Sequence, residues 1–330
     1  MRARQTVIVA AAFSGLLAGC SGQSGGAPHV QDTTTPGNAS PTTAAQTSFQ
    51  DPSGLALLDR GRFLVSDYRL QRVSEIDVKG VKAGTQSARI LERVGISPER
   101  GPQGITLCAG RVWVADYDSN DLSVYEIDNN GVVATKPTKV YKQVPHVSTP
   151  TSIDCDPSGG LWVASQYDPT VVKLPAPTGV LPSQLEPEVS LHVPDLGRYG
   201  IQGVAATTDG WVWAGDYDGN RILGYDVAAG DTKKPTRTFA TASGPIGVIA
   251  VTRQLLVVAA AAARVVQVVE LNADHSVKKS WQLHSSAFGA PHGLAITSDG
   301  ALWVSSDKPS LVRFPPGWQH GSVHAAAVLR

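Results

Sequence analysis

The chain has 330 residues, 28 lysines and arginines against 28 aspartates and glutamates, and only 17% charged side chains. A neutral chain with no basic stripe gives no footing for nucleic-acid binding. Past the first twenty residues no run of 18 apolar residues occurs, so no helix is expected to span a membrane.

The N-terminus reads as a targeting segment. Arg2 and Arg4 precede a short apolar stretch, Val7 to Leu17, which is too short to span a bilayer as a helix and fits a signal peptide over residues 1–20. It ends in Leu17-Ala18-Gly19-Cys20, which resembles the lipobox of bacterial lipoproteins. That resemblance implies a diacylated Cys20 as the mature N-terminus, and an extracytoplasmic protein touching a membrane only through its anchor. Residues 21–46 are rich in Ser, Gly, Thr, Pro, Ala and Gln with almost no charge. They cannot bury enough apolar area to offset their ordering entropy, and are expected to form a flexible tether.

From residue 47 to 330 the chain repeats six times. Copies open at Pro52, Pro102, Pro150, Ile201, Pro245 and Pro291, 44 to 51 residues apart, a period that signals stacked supersecondary units. Each opens with a turn of the Pro-x-Gly type, as in Pro52-Ser53-Gly54 or Pro291-His292-Gly293. A short apolar strand follows, then a polar turn and a second strand such as Arg111–Ala115. An Asp-rich turn leads to an alternating third strand such as Leu122–Ile127, and a fourth follows at variable distance, such as Thr138–Val144. Short β-rich runs between Gly, Pro, Asn and Asp predict an all-β fold. Four antiparallel strands in each of six units predict a six-bladed β-propeller rather than a solenoid, and a monomer. Trp113, Trp162, Trp213 and Trp303 recur at one strand position and are expected in the packing between blades, whereas Trp211, Trp281 and Trp318 fall outside that register.

The stretch from Val212 to Ile222, with Val114 to Asn120 and Val65 to Tyr68, resembles an NHL repeat. Residues 291–304 also resemble blades of virginiamycin B lyases and, more distantly, of the gluconolactonase (SMP-30) group. These resemblances imply a propeller. The NHL-like reading implies a non-catalytic module that binds a peptide, protein or glycan at the cell envelope. The other two imply, as the alternative, a metal-assisted lyase or lactonase. The resemblance to the lyases implies histidines and a glutamate near Mg²⁺, and that to the gluconolactonases a Glu before Gly-Pro. Here that turn is Gln50-Asp51-Pro52-Ser53, without the glutamate.

In a propeller, the loops before the first strand and between the second and third share one face. One ring there is Ser53, Gln103, Thr151, Gln202, Ile246 and His292. The other is Asp67-Tyr68, Asp116-Tyr117, Gln166-Tyr167, Asp216-Tyr217 and Asp307, with a bland Ala259–Ala263 in the fifth unit. Candidate ligand-binding residues are therefore Tyr68, Gln103, Asp116, Tyr117, Tyr167, Gln202, Asp216, Tyr217 and His292. The recurrent aspartates suit turn stabilisation. The Asp116-x-Asp118-x-Asn120 and Asp216-x-Asp218-x-Asn220 spacings would also suit Ca²⁺, but the downstream glutamate of a calcium loop is missing. No cofactor is expected; a divalent metal such as Ca²⁺ or Mg²⁺ is the alternative. His292 is the one histidine on an inner turn. His146 and His192 fall at outer-strand ends, His275 and His284 in the outer part of the fifth unit, and His320 and His324 near the C-terminus, so no second histidine is expected on this face. Cys108 and Cys155 end the first strands of neighbouring units. In an exported chain they are expected to form a disulfide, unless those strands splay and leave two buried thiols.

Overall fold

The computed structural model describes residues 49–59, 61–78, 88–91, 101–287, 289–308, 310–321, 325 and 327–329. The signal peptide, Cys20 and the tether lie outside the described residues. The described chain folds into six four-stranded antiparallel sheets, each from four consecutive strands. The inner strands are Pro52–Leu57, Pro102–Cys108, Pro150–Cys155, Ile201–Ala206, Pro245–Thr252 and Pro291–Ile296. Each touches the next around the ring, and the sixth touches the first. The result is the six-bladed β-propeller that the repeats predict.

Local sequence explains each strand. The inner strand is a sheet edge, so a proline at its first residue costs no ladder bond. The second strand is covered by a blade on either side, and all six residues of Arg111–Asp116, Gly160–Ser165 and Trp211–Asp216 are buried. Burial on both faces is why those stretches read as continuous apolar runs. Outer strands are short and half-exposed, as in Val189–His192 and Arg237–Ala240. The inner strands start at the proline itself, three residues ahead of the apolar stretch that marks them in the sequence.

The core is divided into six seams between blades. Trp113 and Ala115 of blade two pack with Ile153, Leu161 and Val163 of blade three. Trp162 of blade three packs with Val204, Val212 and Tyr225 of blade four. The ring closes where Phe63, Val65 and Ile76 of blade one meet Trp303 and Leu311 of blade six, with the Phe63 and Trp303 rings 5.5 Å apart. Among the described residues no sheet mixes strands from the two chain ends, so closure there rests on packing and side-chain hydrogen bonds. The three tryptophans outside the repeated register gain roles. Trp211 stacks on His275 at 4.2 Å, and Trp318 is fully buried, with its Nε1 donating to Gly300 O. Trp281 Nε1 donates to the carbonyl of Trp318.

Cys108 and Cys155 are disulfide-bonded, with Cα atoms 5.3 Å apart. The two inner strands stay close because Gly104 lets one backbone lie against the other: a Cβ there would stand 2.8 Å from Ile153 N. The bond spans 47 residues of sequence, and closing such a loop in the unfolded chain is worth about 4 kcal/mol. Reduction is therefore expected to lower unfolding stability by roughly that amount. Denaturant titration with and without reductant measures it, and coincident curves would show that the bridge contributes nothing.

Candidate functional site

All six variable residues of the inner turns line one central channel of about 560 Å³: Ser53, Gln103, Thr151, Gln202, Ile246 and His292. Three of them are committed to the scaffold. Ser53 Oγ donates to Asp51 O, Thr151 Oγ1 to Ile201 O, and the Gln202 amide to Tyr199 O. Gln103 and His292 make no side-chain hydrogen bond among the described residues.

Around this mouth lies an arc of tyrosines from blades one to four. Tyr68 and Tyr117 meet edge to face at 5.9 Å, and Tyr199 and Tyr217 at 5.3 Å. Tyr167 is 60% exposed and Tyr199 is 45% exposed, so aromatic faces are presented to solvent. The hydroxyls are largely engaged: Tyr68 donates to Asp118 Oδ2 and Tyr117 to Gln166 Oε1. Burial, then the Asp118 carboxylate, pushes the Tyr68 phenol up to about 12, and burial also raises Tyr117. These phenols stay neutral donors. Blade five breaks the arc with Ala261–Ala263. The tyrosines border the opening rather than line the channel. Tyr199 is an addition to the residues singled out from sequence; it lies in an irregular segment outside the repeat.

The aspartates at the second-strand ends are buried and hold turns. Asp67 accepts from the amides of Gln50, Asp51 and Leu70. Asp116 accepts from Ser123 Oγ at 2.6 Å, and Asp216 from Gly219 N and Arg221 Nε. Asp116 and Asp216 are fully buried, which removes them from direct ligand contact and corrects their place among the candidate binding residues. The oxygens of these Asp-x-Asp-x-Asn stretches accept bonds from neighbouring segments. Asn120 Oδ1 accepts from Thr149 N and Asn220 Oδ1 from Gly244 N, each reaching the loop that leads into the next blade. Asp218 Oδ2 accepts from Tyr199 N. Among the described residues no cluster of three or more His, Cys, Asp or Glu side chains has metal-binding geometry.

The histidines need one correction. Outer strands run back toward the Asp-Tyr face, so the segments that follow them lie on it. His146, after Lys139–Lys142, and His284, after Val277–Leu283, therefore share that face with His292. His146 Nδ1 sits 3.5 Å from Asp168 Oδ2. Neither residue lines the channel, so His292 is still the one histidine inside it among the described residues. Burial pushes the His292 imidazole down, against a weaker upward pull from Asp307, and favours its neutral form.

One channel residue escapes the repeat grammar. Asp154 stands in the inner strand of blade three where the other blades carry Ala56, Thr106, Ala205, Ile249 and Ala295. It lines the channel, and Oδ2 accepts from Ala206 N at 2.9 Å. Burial pushes its carboxyl up to about 6, only partly offset by the amides of Ala206 and Cys155. A carboxylate in the apolar column of an inner strand is the signal that would have found it.

No protein-family model matches the chain, and no curated protein sequence matches it. Solved structures do. A virginiamycin B lyase from Staphylococcus aureus is 16% identical, with a TM-score of 0.55 over 83% of this chain and 89% of that one. A PQQ-bound aldose sugar dehydrogenase from Streptomyces coelicolor is 16% identical, with a TM-score of 0.58 over 81% and 91%. A protein from Lactobacillus plantarum is 15% identical, with a TM-score of 0.61 over 86% and 88%. At these identities the likeness is one of fold, and folds of this kind host unrelated chemistries.

The Asp154 shift carries a sign. Its pKa is higher folded than unfolded, so folding favours its protonated form. Its contribution to stability is full below about 4 and is lost as pH rises through about 6. Asp154→Asn keeps an acceptor for Ala206 N and is expected to unfold later than wild type near pH 8, by on the order of 2 kcal/mol, with little difference near pH 4. Denaturant melts of both proteins at the two pH values test this. An Asn variant less stable near pH 8 would show that the carboxylate is needed for the fold.

Proposed function

We propose that this chain is a lipid-anchored, extracytoplasmic propeller that captures a peptide, protein or glycan at the channel mouth on the Asp-Tyr face, without transforming it. The observation that carries this reading is the convergence of Gln103 and His292 at a mouth bordered by exposed aromatic rings. A binding surface needs flat apolar area with a few polar groups able to orient a ligand. Tyr167 and Tyr199 supply area at low entropy cost, and Gln103 and His292 supply the orienting groups.

Acid–base work asks for more than this mouth offers. A general base is held in one tautomer by a partner and paired with an acid placed for the other proton. His292 has no hydrogen-bond partner among the described residues. The His–Asp pair on this face, His146 with Asp168, stands outside the channel.

Two experiments test the reading. A panel of short peptides and oligosaccharides is titrated while tyrosine and tryptophan fluorescence is followed. For whichever compound binds, Tyr167→Ala combined with Gln103→Ala should weaken it by more than about tenfold, a loss of about 1.4 kcal/mol or more. Arg253→Ala, on the opposite face, should leave it unchanged. The reverse pattern places the ligand on the wrong face. The anchor is tested separately. Cys20→Ala should move the protein from the detergent phase to the aqueous phase or block its processing, because the acyl chains supply roughly 0.8 kcal/mol per buried CH₂. Unchanged detergent partitioning would sink the anchor.

A further inference from the structure

Below the mouth the channel changes character. Its wall becomes Leu55, Ile105, Val204, Val248 and Leu294, an apolar sleeve. Asp154 lies three residues beyond Thr151 along the inner strand of blade three, so its level is roughly 10 Å below the mouth ring. On the neighbouring inner strand Thr106 lines the channel at the equivalent position and adds a hydroxyl. No lysine or arginine is among the described residues that line the channel. The sleeve thus presents a carboxylate with no cation to meet it.

We infer that the channel below the mouth is a subsite for a primary ammonium group on an apolar stem, with Asp154 as the counter-ion. This deepens the binding reading above and rests on it. The chemistry follows from the wall. An apolar stem fills the sleeve between mouth and carboxylate. An ammonium brings the counter-charge that the half-buried carboxylate lacks, and its remaining N–H groups can use the Thr106 hydroxyl. An anionic ligand would meet repulsion at this level, and a wholly apolar one would leave the carboxylate with its amide partners but no counter-ion. The stem is that of a free amine or of a lysine side chain, since both carry the same group.

The charged groups around Asp154 are few. Asp156, just past the end of its strand, raises its pKa but is held by Lys173 and Trp162 Nε1. The inner strands on either side contribute Thr106, Leu107, Val204 and Ala206 to the channel, none ionisable. His292 stands at the mouth and favours its neutral form. The carboxylate therefore governs the pH response, and an ammonium should bind above about pH 6 and be released below it.

The test uses three probes on the intact protein, followed by ligand-observed NMR: hexylamine, its neutral isostere hexanol, and Nα-acetyl-lysine methylamide. Near pH 8 hexylamine should bind wild type at least about tenfold more tightly than hexanol. That preference should fall to about twofold or less in Asp154→Asn, and likewise in wild type near pH 4.5, which keeps the test independent of the variant. Tighter binding of the lysine derivative than of hexylamine assigns the group to a peptide side chain, and the reverse assigns it to a free amine; both support the subsite. Equal binding of hexylamine and hexanol to wild type overturns the subsite and leaves the mouth as a binding surface. An amine preference that persists in Asp154→Asn overturns the role of that carboxylate. No binding by any probe overturns the subsite too, and the Tyr167 and Gln103 variants then judge the mouth alone.

Discussion

Six polypeptide backbones must pass side by side around one narrow axis, and most of the molecule answers to that crowding. A Cβ on Gly54 would overlap the carbonyl oxygen of Gln103 in the next blade, and one on Gly247 would overlap that of His292. One on Gly293 would overlap Ser53 O, across the seam that closes the ring. Blades one, two, five and six thus lay the carbonyl of their variable residue against the glycine of the blade before them. Hydroxyls then cross the same gap: Ser66 Oγ donates to Gln103 O at 2.5 Å, and Ser305 Oγ to Ser53 O at 2.7 Å. Blade three replaces the glycine with Ser152, and its hydroxyl accepts from Val204 N instead.

The same crowding explains what the sequence could reveal. Pro-x-Gly recurs because the first position begins an edge strand and the third admits no side chain, so the repeat announced the fold, its six units and the ring of variable residues. The Asp-x-Asp-x-Asn stretch was legible as a turn but not as a tie between blades. Asn120 and Asn220 hold positive φ of 57° and 49°, which aims each side chain at the amide of a residue more than twenty positions onward. Spacing alone cannot separate an oxygen that accepts a distant amide from one that ligates calcium. The side of the molecule reached by His146 and His284 was misread for a related reason. It depends on strand count, and a fourth strand returns the chain to the face from which the first one left.

Closure without a shared strand puts weight on the seam between blades one and six. Phe49, Phe63, Leu311 and Leu329 are buried there, and Asp307 accepts from Ala290 N beside it. Asp51 belongs to this seam as well. Burial, with Asp67 and Asp307 nearby, pushes its carboxyl up to about 6, against the pull of Arg69 3.6 Å away. Two carboxyls, Asp51 at the rim and Asp154 in the sleeve, therefore favour protonation in the folded ring, and both make the fold less stable above about pH 6 than below it.

Set against the crowding at the axis, these two costs differ in kind. Asp51 precedes the first inner strand, and its backbone carbonyl accepts from Tyr68 N and Ser53 Oγ. The position helps to anchor blade one whatever its charge. Asp154 instead occupies a column where alanine, threonine or isoleucine serves in the other five blades. The fold has apolar solutions at that level and here carries a carboxylate that lowers its stability near neutral pH. Variable residues such as Gln103 and His292, whose side chains bond to no scaffold group among the described residues, can change without touching the backbone contacts around them, so that part of the mouth can be rewritten at little cost. A charge in the sleeve cannot be placed so freely. Its cost is offset when a cation fills the channel beside it, because the half-buried carboxylate then gains a counter-ion in addition to its amide partner. The physical argument for a ligand is therefore stronger at Asp154 than at any residue of the tyrosine arc, although the arc is the feature that repeat reading finds first.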